Sequence, residues 1–350
     1  MSVWEIGIQS LNNKEKNFSL SESDTTLFFF GEKSSGKSTI ISKFLEKNES
    51  IKPTVALDYC YGRQTKGHNI PKFVAHIWEL GGGTWLQKLI DVAITPDNLR
   101  TITIIVVVDL SEPCSIFSTI ETLLNVAKAR IKYILDKLND GDETRLYLEE
   151  KMKEVVGKSP EKYLINVFPV PLVIIGGKYD KFQEIDLKRR TVICKSLRFL
   201  NHFYGGSLMF FNSSQELLVN RLRILLRHYA FGSSANKTME TSSKNPISIP
   251  AGSDSFVDIG APEFCNGSLN QLPSENLLQY WKRAYSSFYP PKDSIQTEIA
   301  DPGKNPQFAE PLVDEAKLQK DEDLEKYRKL SDRRMRDLRQ QAINDGIVAI

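Results

Sequence analysis

The sequence predicts an α/β fold, a doubly wound and mostly parallel sheet, followed by a C-terminal tail of helical segments with little core of its own. Three observations carry this reading. Short apolar runs at 27–30 (LFFF), 101–110 (TITIIVVVDL) and 171–176 (PLVIIG) have the length and composition of buried central strands. Between them lie segments with helical spacing, the longest with apolar residues at 116, 120, 123, 124, 127, 131, 134, 135 and 138. Strands alternating with helices build a parallel sheet, whose ligands lie beyond the carboxyl ends of its strands. After Gly232 the composition shifts to Ser, Asn, Gly and Pro, which ends the pattern.

Taken in order, residues 3–8 form a short apolar lead-in before a polar stretch. The run 27–30 is the first central strand and 38–48 the helix after it. Residues 50–61 alternate in part (Val55, Leu57, Tyr59, Tyr61) and read as a half-exposed strand. A turn at 62–69 leads to a strand at 73–80 (FVAHIWEL), which runs into Gly81-Gly82-Gly83, with a helix expected over 85–93. Residues 101–110 are short and rich in β-branched side chains, so they are a strand rather than a helix. The long helix 116–138 follows, then an insertion at about 139–169 with one helix near 143–156. A strand at 171–176, a helix at 187–204, a short strand at 208–211 and a helix at 215–229 complete a domain spanning 1–231.

Residues 232–273 read as a flexible linker, and 274–350 as helical segments that dock on a partner. Residues 277–289 (LLQYWKRAYSSFY) are aromatic-rich and are expected to supply one partner contact. Residues 313–342 are highly charged, with a thin stripe of Ala316, Leu324, Tyr327, Leu330, Leu338 and Ala342. So narrow a stripe either docks on another surface or stays solvated.

Composition excludes several function classes. The net charge of +2 supplies no field for nucleic acid or an anionic membrane. The four cysteines, Cys60, Cys114, Cys194 and Cys265, show no C-x-x-C spacing, which argues against a zinc site or a disulfide scaffold. No apolar run has the length of a membrane span, and the start Met1-Ser2-Val3-Trp4-Glu5 lacks the character of a signal peptide. A cytoplasmic protein is expected.

The chemistry concentrates at 31–39. Gly31, Glu32, Lys33, Ser34, Ser35, Gly36, Lys37 and Ser38 fit G-x-x-x-x-G-K-[ST], lie between a strand and a helix, and are followed by Thr39. Glycines let backbone N–H groups turn inward onto phosphate oxygens, Lys37 bridges the outer phosphates, and the Ser38 hydroxyl ligates Mg²⁺. A GTPase needs three further signals. For the metal-side D-x-x-G, Glu79 stands where Asp is expected and Gly82 where the glycine belongs; Asp109, one strand later, is the rival carboxylate. The water-orienting glutamine falls at Gly83, which has no side chain for the task. For the guanine-reading N-K-x-D, Lys178 and Asp180 match and Gly177 replaces Asn. A small-polar segment, Asn212-Ser213-Ser214, stands for the third signal, and Thr54 or Thr65 for the threonine that caps Mg²⁺.

The run GEKSSGKST with LDYCYGRQ, WELGGG, VVVDLSEP and GGKYD resembles the light intermediate chain family of cytoplasmic dynein. Its short tail is similar to the branch that serves dynein 2, the motor of retrograde intraflagellar transport. The resemblance covers about 27–229. It implies a Ras-like domain that packs on the dynein 2 heavy chain, among the other dynein 2 subunits, and stabilises the motor without being its ATPase. Microtubules and intraflagellar transport particles would be indirect partners, in cytoplasm, cytoskeleton, cilium, axoneme and basal body. GTP or GDP with Mg²⁺ would occupy the loop, or the loop would be empty. No catalytic residue is assigned. The alternative is a regulatory GTPase with weak hydrolysis.

Overall fold

The computed structural model describes residues 24–47, 50–64, 73–138, 142–157, 161, 163–234, 238–264, 277–291 and 310–344. Met1–Asp293 and Ser294–Ile350 are separate compact units. Within the first, the described residues build one seven-stranded sheet: β1 (Asp24–Gly31), β2 (Leu57–Gln64), β3 (Phe73–Leu80), β4 (Ile102–Asp109), β5 (Leu172–Gly177), β6 (Ser207–Phe210) and β7 (Ser248–Ile249), in the order β2-β3-β1-β4-β5-β6-β7. The central pairings β3-β1-β4-β5-β6 are parallel. Both edge pairings, β2 with β3 and β7 with β6, are antiparallel.

Alternation along the strands feeds two separate cores. Phe28 and Phe30 of β1, with Ile104, Val106 and Val108 of β4, face one side; Leu27 and Phe29, with Ile105 and Val107, face the other. A strand covered on both faces must be apolar throughout, which is why β4 reads as an unbroken run. The second face is closed by α1 (Lys37–Phe44) and, near the end of the domain, the helix 216–231.

The first face carries more helices. A 3₁₀ stretch at Gly83–Leu89 leads into a single turn, α2 (Ile90–Ala93), so the expected helix at 85–93 is broken. Leu86 leaves helical geometry, with φ −96° and ψ 24°. Next come α3 (Pro113–Lys137), with proline in its first turn where a missing N–H costs nothing, and α4 (Glu143–Val156), capped by Asp142, whose carboxylate accepts from Thr144 N at 2.8 Å. The short α5 (Tyr179–Phe182) and α6 (Leu187–Tyr204) follow on this face, and α7 (Glu216–Phe231), the helix that closes the second face, ends the alternation.

Two further sequence expectations need correction. Residues 238–264, read as linker, are fastened to the domain. They supply β7, place Ile247, Ile249 and Ile259 in the core, and form α8 (Phe256–Ile259). Asp254 makes a buried two-pronged pair with Arg198 of α6, at 2.8 and 2.7 Å. Glu161 Oε2 accepts from Phe256 N at 3.1 Å and lies 2.9 Å from His202 Nε2. A few well-placed anchors fix this segment, and a composition average dilutes them. The part of the expected linker at 265–273 lies outside the described residues.

The second correction concerns 277–289. This stretch forms α9 (Leu277–Phe288), and it docks on its own domain. Trp281 stacks on Phe199 of α6 (4.5 Å, 7°), Tyr285 Oη donates to the Pro113 carbonyl (2.6 Å), and Lys282 pairs with Glu121 of α3 (2.6 Å). In the second unit the described residues form α10 (Pro311–Asn344), whose Leu324, Tyr327 and Leu330 are exposed. Among the described residues, no helix is long and apolar enough to cross a membrane.

Candidate nucleotide-binding site

The glycine loop lies at the carboxyl end of β1, where close packing dictates its first residue. A Cβ on Gly31 would fall 2.0 Å from the Val107 carbonyl oxygen of β4. The chain then turns through left-handed conformations at Ser34 (φ 61°) and Gly36 (φ 95°) before α1 begins. Ser34 adopts a conformation that non-glycine residues rarely hold, the kind of local strain found at ligand loops.

Lys37 is buried, and its ammonium donates to the carbonyls of Glu32 (2.7 Å) and Gly31 (3.3 Å). Burial lowers its pKa, against the pull of the Glu79 and Glu32 carboxylates. The Ser38 hydroxyl donates to Glu79 Oε1 at 2.7 Å. Burial raises the Glu79 pKa, opposed by hydrogen bonds from Ser38 and Thr54 and by Lys37. The hydroxyl oxygen of Ser38 and the carboxylate of Glu79 are hard donors that suit Mg²⁺, an ion that takes its remaining ligands from phosphate and water. Among the described residues, no group of three His, Cys, Asp or Glu side chains could hold a metal unaided. With Ser35 Oγ buried and unpartnered in the same loop, the residues fit a phosphate chain and its magnesium.

The two rival carboxylates are separated by geometry. Asp109 Oδ1 accepts from Ser111 N (2.9 Å) and Ser111 Oγ (2.6 Å), and its Oδ2 from Lys178 Nζ (2.5 Å). Glu79 is the one hydrogen-bonded to Ser38. Thr54 is also at the site: its side chain bonds Glu79, and a Cβ on Gly81 would sit 2.4 Å from its carbonyl oxygen. Thr65 lies outside the described residues. Gly83 (φ 63°) abuts the loop, where a Cβ would stand 3.2 Å from Lys33 N.

The base-reading side departs further from a guanine site. A Cβ on Gly177 would fall 2.7 Å from the Ser35 carbonyl oxygen, so the loop occupies the space an Asn needs. Lys178 (φ 57°) spends its ammonium on Asp109. Tyr179 turns into the core against Phe182 and Phe210, while Asp180 is exposed at the start of α5. The Tyr179 N–H donates to the Phe211 carbonyl, which joins this turn to the next loop, where Asn212 is buried and caps Ser214 N at 3.0 Å.

A family model for the dynein light intermediate chain matches residues 12–162. Over 337 residues the chain is 42% identical to cytoplasmic dynein 2 light intermediate chain 1 of Mus musculus, covering 94% of this chain and 96% of that one. The Homo sapiens protein of that name is 41% identical over 341 residues, with the same coverage. That of Danio rerio is 39% identical over 339 residues, 94% of each chain. The chain belongs to the dynein light intermediate chain family. The solved conserved domain of a dynein light intermediate chain shares the fold, with a TM-score of 0.56 at 15% identity over 80% of this chain and 99% of that domain.

In this member of the family, one contact of the loop has no counterpart in the sequence motifs. Glu32 Oε2 accepts from Ser115 Oγ at 2.7 Å, which ties the loop to the first turn of α3. Only the position of Ser115 soon after the β4 carboxyl end hints at it. The Asp109–Lys178 pair was likewise out of reach, although both residues stood out separately.

Proposed function

We propose that this chain is a non-catalytic accessory subunit of the cytoplasmic dynein 2 motor. It binds and stabilises the heavy chain for retrograde intraflagellar transport, in the cytoplasm and along the ciliary axoneme. The observation that carries the reading is the near end-to-end likeness to proteins named as dynein 2 light intermediate chains. Gly31, Glu32, Lys33, Ser34, Ser35, Gly36, Lys37, Ser38 and Thr39 hold the phosphates of GTP or GDP, with Ser38 and Glu79 on Mg²⁺ and Lys178 and Asp180 beside the base.

The bound nucleotide serves as a structural polyanion that satisfies Lys37 and the loop amides. Hydrolysis is not its task, because Gly83 offers no group to position water, a loss that typically costs orders of magnitude in rate.

Affinity purification of the tagged chain from ciliated cells tests the main reading. Recovery of the dynein 2 heavy chain is expected, and its absence overturns the proposal. Purified protein should turn over GTP no faster than its Lys37→Ala variant; turnover that vanishes on that substitution would make it a regulatory GTPase.

A further inference from the structure

Hydrogen bonds run in series from the phosphate-binding loop to α9. Lys37 Nζ donates to the Glu32 carbonyl at 2.7 Å, and the Glu32 carboxylate accepts from Ser115 Oγ at 2.7 Å. Ser115 stands in the first turn of α3, two residues after Pro113, whose carbonyl accepts from Tyr285 Oη at 2.6 Å. The Tyr285 ring is buried against Phe117 (5.7 Å) and Tyr289 (5.3 Å), and Lys282 reaches Glu121 about two turns further along α3. Burial drives the Tyr285 phenol well above its ordinary pKa, so it stays a neutral donor at physiological pH. One turn of α3 therefore touches the loop on one side and α9 on the other.

We propose that α9 responds to whether the phosphate cradle is filled, through the Glu32–Ser115 contact; this rests on the reading that the cradle takes a polyphosphate. A polyanion arriving at Lys37 competes with the Glu32 carbonyl for the ammonium. It also repels the Glu32 carboxylate, which lies close enough to Lys37 to stabilise the lysine's charge. Both effects act on Glu32, and Glu32 yields by loosening its bond to Ser115. A close-packed helix passes a shift in its first turn to whatever is clasped on that turn. By linkage, the seat of α9 must in turn set the affinity of the cradle.

The test uses the full chain with Mg²⁺ and either GDP or inorganic pyrophosphate. Amide exchange over 277–289 is followed by mass spectrometry, and affinity is measured by calorimetry on the same samples. Saturating Mg²⁺-GDP is expected to change exchange in α9 about fivefold or more, the low end of ordinary coupling. Glu32→Gln keeps the hydrogen bond without the charge; it should bind GDP more tightly and lose most of the α9 response. Tyr285→Phe keeps the ring and should shift the GDP Kd by about the same factor of five. If that variant folds poorly, Ser115→Ala cuts the same chain from α3. Tight GDP binding with unaltered α9 exchange, or an unchanged Kd in Tyr285→Phe, overturns the inference. Failure of both GDP and pyrophosphate to bind the native chain would sink the cradle reading itself.

Discussion

Replacing Gly177 by Asn restores the letters of the guanine-reading motif, yet the geometry predicts that it damages the protein. The new Cβ would lie 2.7 Å from the Ser35 carbonyl oxygen and 3.6 Å from that of Val108. The near atom is backbone of the phosphate-binding loop, so it cannot rotate out of the way like the end of a flexible side chain. Forcing extra volume into a packed region costs about 1–3 kcal/mol. A new hydrogen bond from the Asn amide would return about 1 kcal/mol at best. At about 2–4 °C per kcal/mol for a domain of this size, thermal unfolding should drop by about 2–12 °C without that bond and by at most about 8 °C with it. Affinity for Mg²⁺-GDP should fall as well, because the loop that must shift is the loop that binds. Gly177→Ala carries the steric cost without the amide and should be at least as destabilised. Scanning calorimetry and titration with GDP on the full chain decide the matter. An Asn variant with unchanged melting temperature and tenfold tighter GDP would refute the reasoning.

Other substitutions probe the remaining parts. Glu79 has a pKa raised chiefly by burial, so it favours the fold most below the ordinary carboxylate range and loses that contribution as pH rises through its folded value. Glu79→Gln should therefore flatten the fall in apo stability as pH rises above the ordinary carboxylate range and weaken Mg²⁺-dependent GDP binding; an identical pH profile in the two proteins would contradict this. Arg198→Ala leaves Asp254 as a buried unpaired charge and should cost about 3–5 kcal/mol by urea denaturation, whereas removing both charges with apolar residues of similar size should recover much of the loss. Trp281→Ala removes the Phe199 stack and should cost about 3–5 kcal/mol. It should also open 277–289 to protease; a cleavage pattern unchanged from the native chain would count against α9 as part of the domain.

Much of the sheet was legible because its signals are local. The apolar runs of β1, β4 and β5 report strands covered on both faces, and the periodicity of α3 reports one buried stripe. The glycine loop was readable for the same reason, since its turn requires Gly31 and Gly36 within a few residues. The segment at 238–264 escapes a composition average because Ile247, Ile249, Asp254 and Ile259 are isolated anchors in a polar stretch. Each depends on a distant partner rather than on its neighbours. The aromatic face of α9 was visible as a docking face, but a stripe does not say whose surface it meets, and Phe199 and Pro113 turned out to supply it.

Residues close together along the chain encode the main alternation of strands and helices as far as residue 231, the phosphate loop and the missing side chain at Gly83. Tertiary structure decided which carboxylate faces Ser38, that Lys178 is committed to Asp109, and that the loop fills the space an Asn at 177 would need. Those outcomes depend on distances between β1, β3, β4 and β5, set by how closely two backbones pack, and no spacing within one segment encodes such a distance.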